Sequence, residues 1–316
     1  MKRFTEKILS GVLSVVIAGG CAAAVSAAGG RCGDINGDTY VNSADALIAL
    51  YHSVGADKLE GSAFTCGDVN ADKKIDSSDA LDILLYSVGK IGVFKAELSQ
   101  TVSMYADTIK KARNDRPFYR LKSSNKTSKA DVKVNDPLNL LALVGMSAKE
   151  MEAQMKEEIF GQQTGPSQTF CPKGSTNSFN NLPVLCGVTD PSKFKSLKLE
   201  AAEDGKYKVE IRLNDEKNPT AQSTVCKVLG MASYDEMMAE LEDSLKIEEG
   251  VSVNVKLNEL TYKNSVITCV LDPATGEFSE LEWGTDVLMD YSVKMVVDVH
   301  ISTETSVTTS YWDFVY

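Results

Sequence analysis

The sequence contains no Gly-x-Ser-x-Gly elbow, no phosphate-binding glycine loop, no His-Glu-x-x-His and no Cys-x-x-Cys pair. These absences remove the usual signatures of a serine hydrolase, a nucleotide-binding domain, a zinc peptidase and a structural zinc site. Histidine is scarce, at 2 in 316 residues, and so is tryptophan, also at 2. Positive charge is in deficit: 33 Lys and Arg against 44 Asp and Glu leave a net charge of −11. Such a chain repels nucleic acid and anionic membrane surfaces and suits cation binding, although an acidic surface also serves solubility alone.

Long apolar runs are absent too. The run Ile8–Ala18 is about a dozen residues and follows Lys2, Arg3 and Lys7, which is too short for a permanent membrane span. With Val25-Ser26-Ala27 behind it, this is the layout of a secretory signal peptide over residues 1–28. It predicts an exported, extracellular protein with no membrane span. A lipid-bearing Cys21 after Ala18-Gly19-Gly20 is the alternative. Removing residues 1–27, with three basic residues and one acidic, takes the charge from −11 to −13. Six cysteines then remain: Cys32, Cys66, Cys171, Cys186, Cys226 and Cys269. An even number in an exported chain permits three disulfides, and free buried thiols are the other reading.

What is present in abundance is a repeat. Residues 32–55 read CGDINGDTYVNSADALIALYHSVG and residues 66–89 read CGDVNADKKIDSSDALDILLYSVG, with an offset of 34 and 13 of 24 positions identical. Counting from Asp34, oxygen-bearing side chains stand at loop positions 1, 3, 5, 9 and 12 as Asp34, Asn36, Asp38, Asn42 and Asp45. The second copy supplies Asp68, Asn70, Asp72, Asp76 and Asp79. Calcium requires about six to eight oxygens, and a twelve-residue loop delivers them at this spacing, position 7 through its main-chain carbonyl. Those carbonyls are on Tyr40 and Lys74, so two Ca2+ ions are expected.

Each loop runs into a helix, with Leu47, Leu50, Tyr51 and Val54 at i, i+3, i+4, i+7 and Leu81, Leu84, Leu85 and Val88 likewise. Gly55 and Gly89 stand where a left-handed cap is needed. No helical pattern precedes the first loop, so the units read as loop–helix repeats.

Residues 32–91 resemble the type I-like dockerins of cellulosomes and related polysaccharide-degrading assemblies. The resemblance implies a cohesin module of a scaffoldin as partner, met by either of two near-symmetric helices. Its recognition positions fall on Ser43, Ala44, Leu50 and Tyr51 in copy one and on Ser77, Ser78, Leu84 and Leu85 in copy two. Tyr51 and Leu85 replace residues that are often basic, which implies a more apolar contact. Cys32 and Cys66 occupy the same place in each repeat, so a bond between them is one option. Position 6, normally Gly, is Thr39 or Lys73, at a cost of about 1–2 kcal/mol for a left-handed backbone. Lys73 and Lys74 add positive charge, so the second site is expected to be the weaker.

Residues 96–316 read as a separate α+β domain. Residues 96–113 are helical in pattern, and Ser147-x-x-Glu150 and Ser233-x-x-Glu236 are capping boxes opening Met-rich helices near 147–160 and 233–246. Each follows a similar phrase, Val144-Gly145-Met146 or Leu229-Gly230-Met231, from duplication or coincidence. Residues 161–186 read as a loop that a Cys171–Cys186 bond would staple. Thereafter the period is two: Tyr207 to Leu213, Val251 to Leu257, and every odd position from Val287 to Ile301, which predicts one long, bent strand. Asp272–Gly276 reads as a hairpin turn. The class expected is α+β overall, with a small all-α, EF-hand-like module followed by a curved antiparallel sheet packed on helices.

His300 falls in phase with Asp290, Ser292, Lys294 and Asp298 and reads as a solvated strand residue. Trp283, Tyr311 and Trp312 are candidates for a sugar-stacking platform or for the core. The favoured reading is a non-catalytic binding or adhesion domain, polysaccharide being one ligand class. The alternatives are a carbohydrate-active hydrolase or esterase, and a half-barrel holding an apolar ligand.

Overall fold

The computed structural model describes residues 31–161, 167–175, 182, 190–245, 253–295 and 297–316. The leader over 1–28 with Cys21, residues 251 and 252, and Cys186 with most of the 161–186 loop lie outside them. No helix among the described residues is long and apolar enough to cross a membrane.

Helices open the chain: α1 (Ser43–Ser53), α2 (Gly61–Gly67), α3 (Ser77–Ser87) and the long α4 (Lys95–Asp115). α1 and α3 pack on each other through Ala46, Ala49, Ala80 and Ile83, and Ile35, Val69, Ile75 and Phe94 complete a small core. Alanines at the crossing let the two helices approach closely. α2 corrects the loop–helix reading, because the second loop does have a helix ahead of it. Its seven residues, Gly-Ser-Ala-Phe-Thr-Cys-Gly, are too few and too mixed to show a helical period.

After α4 come β1 (Phe118–Asn135), a short 3-10 turn at Leu140–Val144, α5 (Ala148–Gly161), β2 (Ser167–Cys171), β3 (Phe194–Ala201), β4 (Tyr207–Leu213) and β5 (Glu216–Lys217). The helices α6 (Thr224–Leu229) and α7 (Tyr234–Ser244) lead to three long strands, β6 (Asn254–Asp272), β7 (Glu277–Lys294) and β8 (Asp298–Val315). The sheet is antiparallel, ordered β2-β1-β8-β7-β6-β4-β3, with β5 on β6. The class is α+β.

α4 lies against β7 and β3, α5 against β1, and α7 against β6. Their apolar faces, including Tyr105, Ile109, Met151, Met155, Met237 and Leu241, close over Tyr262, Trp283 and Tyr291. The methionines of the two capping-box helices are core filler. Both boxes form: Ser147 N–H donates to Glu150 Oε2 at 2.7 Å, and Ser233 with Glu236 caps α7 reciprocally. The two similar phrases take one local form, a short helical turn ended by a left-handed glycine, Gly145 (φ 72°) or Gly230 (φ 64°).

The single strand expected over 287–301 is instead parts of β7 and β8, which meet where Met295 N–H donates to Val297 O at 3.1 Å. The junction leaves the alternation in phase. Val293 pairs with Val299 facing inward, and Lys294 with Asp298 facing outward, so the apolar period runs straight through. β1 carries no apolar alternation in its middle because hydroxyls fill that stretch. Ser123 Oγ lies 3.1 Å from Thr309 Oγ1, and Thr127 Oγ1 lies 3.0 Å from Thr305 Oγ1. The hairpin at Asp272–Gly276 forms as expected, its Asp272 carboxylate accepting from Ala274 N–H at 2.7 Å.

Cys32, Cys66, Cys171, Cys226 and Cys269 are free thiols, so the Cys32–Cys66 bond does not form. Cys66 and Cys269 are buried, and burial pushes the Cys226 thiol up to about 12, with Glu216 next in effect. Of the expected Cys171–Cys186 pair, Cys186 lies outside the described residues.

Candidate calcium loops and paired helix faces

Each loop is organised by its own carboxylates. Asp34 Oδ1 accepts from Gly37 N–H at 2.8 Å and Asp38 N–H at 3.1 Å, and Oδ2 accepts from Thr39 N–H at 3.0 Å. Asn36 Oδ1 accepts from Asp38 N–H at 2.8 Å, and Asp38 Oδ1 from Tyr40 N–H at 2.8 Å. The second loop repeats the scheme. Asp68 accepts from Asp72 N–H at 3.0 Å and Lys73 N–H at 2.9 Å, Asn70 from Asp72 N–H at 2.9 Å, and Asp72 from Lys74 N–H at 2.9 Å.

Positions 9 and 12 join each loop to its helix. Asn42 caps α1 by accepting from Ala44 N–H at 2.7 Å, and Asp76 caps α3 by accepting from Ser78 N–H at 2.7 Å. Asp45 and Asp79, in the first helical turns, are fully buried and reach back into the loops. Asp45 accepts from Ile35 N–H at 2.9 Å and Asn42 N–H at 3.0 Å. Asp79 accepts from Asn70 N–H at 3.3 Å and Asp76 N–H at 3.0 Å. Burial holds the Asp79 carboxyl above its ordinary range, against the opposing pull of its main-chain donors.

The donor set fits a hard cation. It is all oxygen, and among the described residues no Lys, Arg or His forms an ion pair with Asp34, Asp45, Asp68 or Asp79. A buried carboxylate without a cation carries a heavy desolvation cost. The acidic side chains alone do not form a cluster of three, so a full shell also needs Asn36 or Asn70 and the position-7 carbonyls of Tyr40 or Lys74. The loops are not equal. Thr39 (φ 76°) and Lys73 (φ 70°) are both left-handed at position 6, as the spacing predicts. At position 4 the first loop has Gly37, whereas the second has Ala71 at φ 61°, a strain the sequence reading missed. Lys74 Nζ also lies 3.7 Å from Asp72 Oδ2.

The apolar stripes on α1 and α3 face outward. Leu47, Leu50, Tyr51 and Val54 are exposed, as are Leu81, Leu84 and Val88, while the alanines beside them fill the core. Ser43, Ala44, Ser77 and Ser78 are exposed at the helix starts, and Leu85 is half-buried. All eight positions expected to meet cohesin thus lie on the same paired helices, with Leu85 the least accessible.

His52 and Tyr86, equivalent in the two copies, secure the chain beyond each helix. His52 Nδ1 accepts from Leu59 N–H at 2.9 Å, and Tyr86 stacks on Phe94 with centroids 4.6 Å apart. In the large domain His300 lies on the polar face, its Nε2 3.2 Å from Asp290 Oδ2. Trp283 and Tyr311 are core residues, so of the three aromatic candidates only Trp312 stands on the outer face, half-buried.

No curated protein and no solved structure matches this chain. Residues 32–85 match the family model described as the dockerin type I domain, and that match supports calcium binding and docking to cohesin, in a cellulosome-like setting, for this part of the chain.

Proposed function

We propose that the protein is secreted, binds two Ca2+ ions in the loops 34–45 and 68–79, and docks to a scaffold-borne cohesin through the outer faces of α1 and α3. In this reading Asp34, Asn36, Asp38, the Tyr40 carbonyl, Asn42 and Asp45 hold one ion. Asp68, Asn70, Asp72, the Lys74 carbonyl, Asp76 and Asp79 hold the other. The ions contribute charge neutralisation: they offset the mutual repulsion of the loop carboxylates and lock Asp45 and Asp79 between loop and helix. The helices are thereby fixed in the pose that offers Leu47, Leu50 and Tyr51, or Leu81 and Leu84, to a partner.

The observation that carries the reading is the inversion of the helix stripes. Apolar stripes at helical spacing normally turn inward, and two matching ones left exposed mark an interaction surface. Residues 96–316 are the cargo, which we read as a non-catalytic binding domain. The placement of His300 in a polar ladder with Asp290 and Ser292 favours that over hydrolysis. The test is cohesin affinity of the full chain in calcium and in EDTA. Docking that survives complete calcium removal would overturn the assignment.

A further inference from the structure

A concavity on the outer face of the sheet has the chemistry of a ligand site. It holds about 310 Å³, at the low end of small-molecule sites, and lies where β4, β6, β7 and β8 run side by side. Two rows of side chains cross it. Lys208 and Glu280 flank Val270 in one row, and Thr268, Glu282 and Ser310 follow one another in the next. Trp312 closes the end at β8.

Trp312 is set as a fixed platform. Its neighbour Tyr311 is buried in the core, and Phe314 packs inward on Tyr119 with centroids 5.4 Å apart. Asp313 between them is left-handed (φ 54°) and ion-pairs with Arg120 at 3.0 Å. This bulge lets Tyr311 and Phe314 both face in while Trp312 faces out. Ser310 Oγ donates to Glu282 Oε2 at 2.5 Å, which orients that carboxylate. Among the described residues Lys208 and Glu280 have no ion-pair partner, although they sit on either side of Val270.

The combination narrows the ligand. Glu280 and Glu282 repel an anion, Lys208 repels a cation, and the shallow, open floor gives an acyl chain nowhere to hide. A neutral polyol with an apolar ring face meets every group. Its C–H face stacks on the indole, and its hydroxyls donate to the carboxylates and accept from the ammonium in charge-assisted hydrogen bonds. Resting on the reading of residues 96–316 as a binding domain, we infer that this concavity binds a pyranose unit of a polysaccharide, stacked on Trp312.

The chain has only two tryptophans, and Trp283 is buried, so a change in emission on adding a ligand reports Trp312. The full chain in calcium is titrated with cello-, xylo-, manno- and malto-oligosaccharides while emission is recorded and released sugars are analysed. A saturable emission change with at least one series is expected. Binding measured by calorimetry should fall at least tenfold in Trp312→Ala and severalfold in Glu282→Gln, with an unchanged unfolding temperature of the sheet domain as the check on folding. Undiminished binding in both variants overturns this site and leaves the binding-domain reading standing. Shortened oligosaccharides among the products overturn the non-catalytic reading instead. No binding by the unaltered chain to any series overturns the carbohydrate assignment.

Discussion

Phe94 closes directly over Gly33: a Cβ on Gly33 would stand 2.6 Å from the Phe94 ring. The contact joins the start of the first calcium loop to the chain leaving the second. Phe94 belongs to the small core and its neighbour Val93 to the large one, and Ala96 N–H donates to Val69 O at 3.0 Å. Phe94 is therefore part of the N-terminal module's packing, although it lies beyond the 32–91 boundary expected from the sequence.

Phe94→Ala should cost about 3–5 kcal/mol as a fully buried aromatic truncation, borne by the N-terminal module. Because calcium binds only the folded loops, apparent calcium affinity falls with it. Calcium titration of the full chain measures this, and an unchanged midpoint would show that Phe94 lies outside the folding unit of the loops. Gly33→Ala should act in the same direction, since Gly33 is also left-handed at φ 83°.

Gly92 is where the two cores touch. A Cβ there would stand 2.2 Å from the Lys195 main-chain oxygen in β3, too close for any small adjustment. Gly92→Ala should separate the module from the sheet while leaving each core intact. Small-angle scattering should show a larger radius of gyration, and an unchanged radius with unchanged unfolding temperature would contradict the proposed close packing.

The loops were legible in the sequence because ligand geometry dictates residue type at fixed positions, and Asp34 through Asp45 have no packing reason to repeat at Asp68 through Asp79. The hairpin between β7 and β8 was not, because the junction preserves parity and the apolar alternation passes through unbroken. β1 was hidden for the opposite reason: Ser123 and Thr127 pair with threonines of β8 where apolar side chains were expected. The outward direction of Leu50 and Tyr51 was equally hidden, since a period of 3.6 identifies a stripe and says nothing of what covers it.

Strain should set the order of the two calcium sites. The second loop has two left-handed non-glycine residues, Ala71 and Lys73, against Thr39 alone in the first. At about 1 kcal/mol each, Ala71→Gly with Lys73→Gly should strengthen the weaker site by roughly tenfold or more and bring the two calcium affinities together. Isothermal titration of the full chain distinguishes the sites, and a gain confined to the tighter one would reverse the assignment.

Glu97 gives a pH prediction. It caps α4, accepting from Phe94 N–H at 3.1 Å, but burial raises its carboxyl above the ordinary 4.5, outweighing the pull of that hydrogen bond and of Arg31. A raised carboxyl means that the folded state prefers the protonated form. Glu97 therefore lowers stability when ionised, and the loss is relieved as pH falls through its folded-state range toward 4.5. Glu97→Gln keeps an acceptor for Phe94 and removes the charge. It should raise the melting temperature at neutral pH, with the advantage shrinking on acidification. A difference between variant and native chain that is constant from neutral pH to pH 4.5 would refute this origin.

The two helix faces are similar but not equal, and the difference predicts which one cohesin prefers. Tyr51 is 49% exposed, its ring and hydroxyl both accessible, whereas Leu85 at the equivalent place is half-buried. At the helix starts the Ser78 hydroxyl is engaged within its own loop, donating to Asp76 Oδ1 at 2.8 Å and accepting from Asn70 Nδ2 at 3.0 Å. Ala44 has no such bonds to break. A large exposed ring with a polar tip is the profile of an interface hot spot, whose truncation costs about 2 kcal/mol or more when no alternative exists. Here an alternative exists, so Tyr51→Ala should weaken cohesin binding only modestly, as docking moves to α3. Leu85→Ala should change it less, because the preferred face is intact. The double variant has neither face and should lose most of its affinity, far beyond the sum of the single effects. That non-additivity is the signature of two competing modes, and surface-bound cohesin titrated with the four chains measures it. Strictly additive losses would mean one face only, and no loss in the double variant would mean that the scaffold meets another surface of the module.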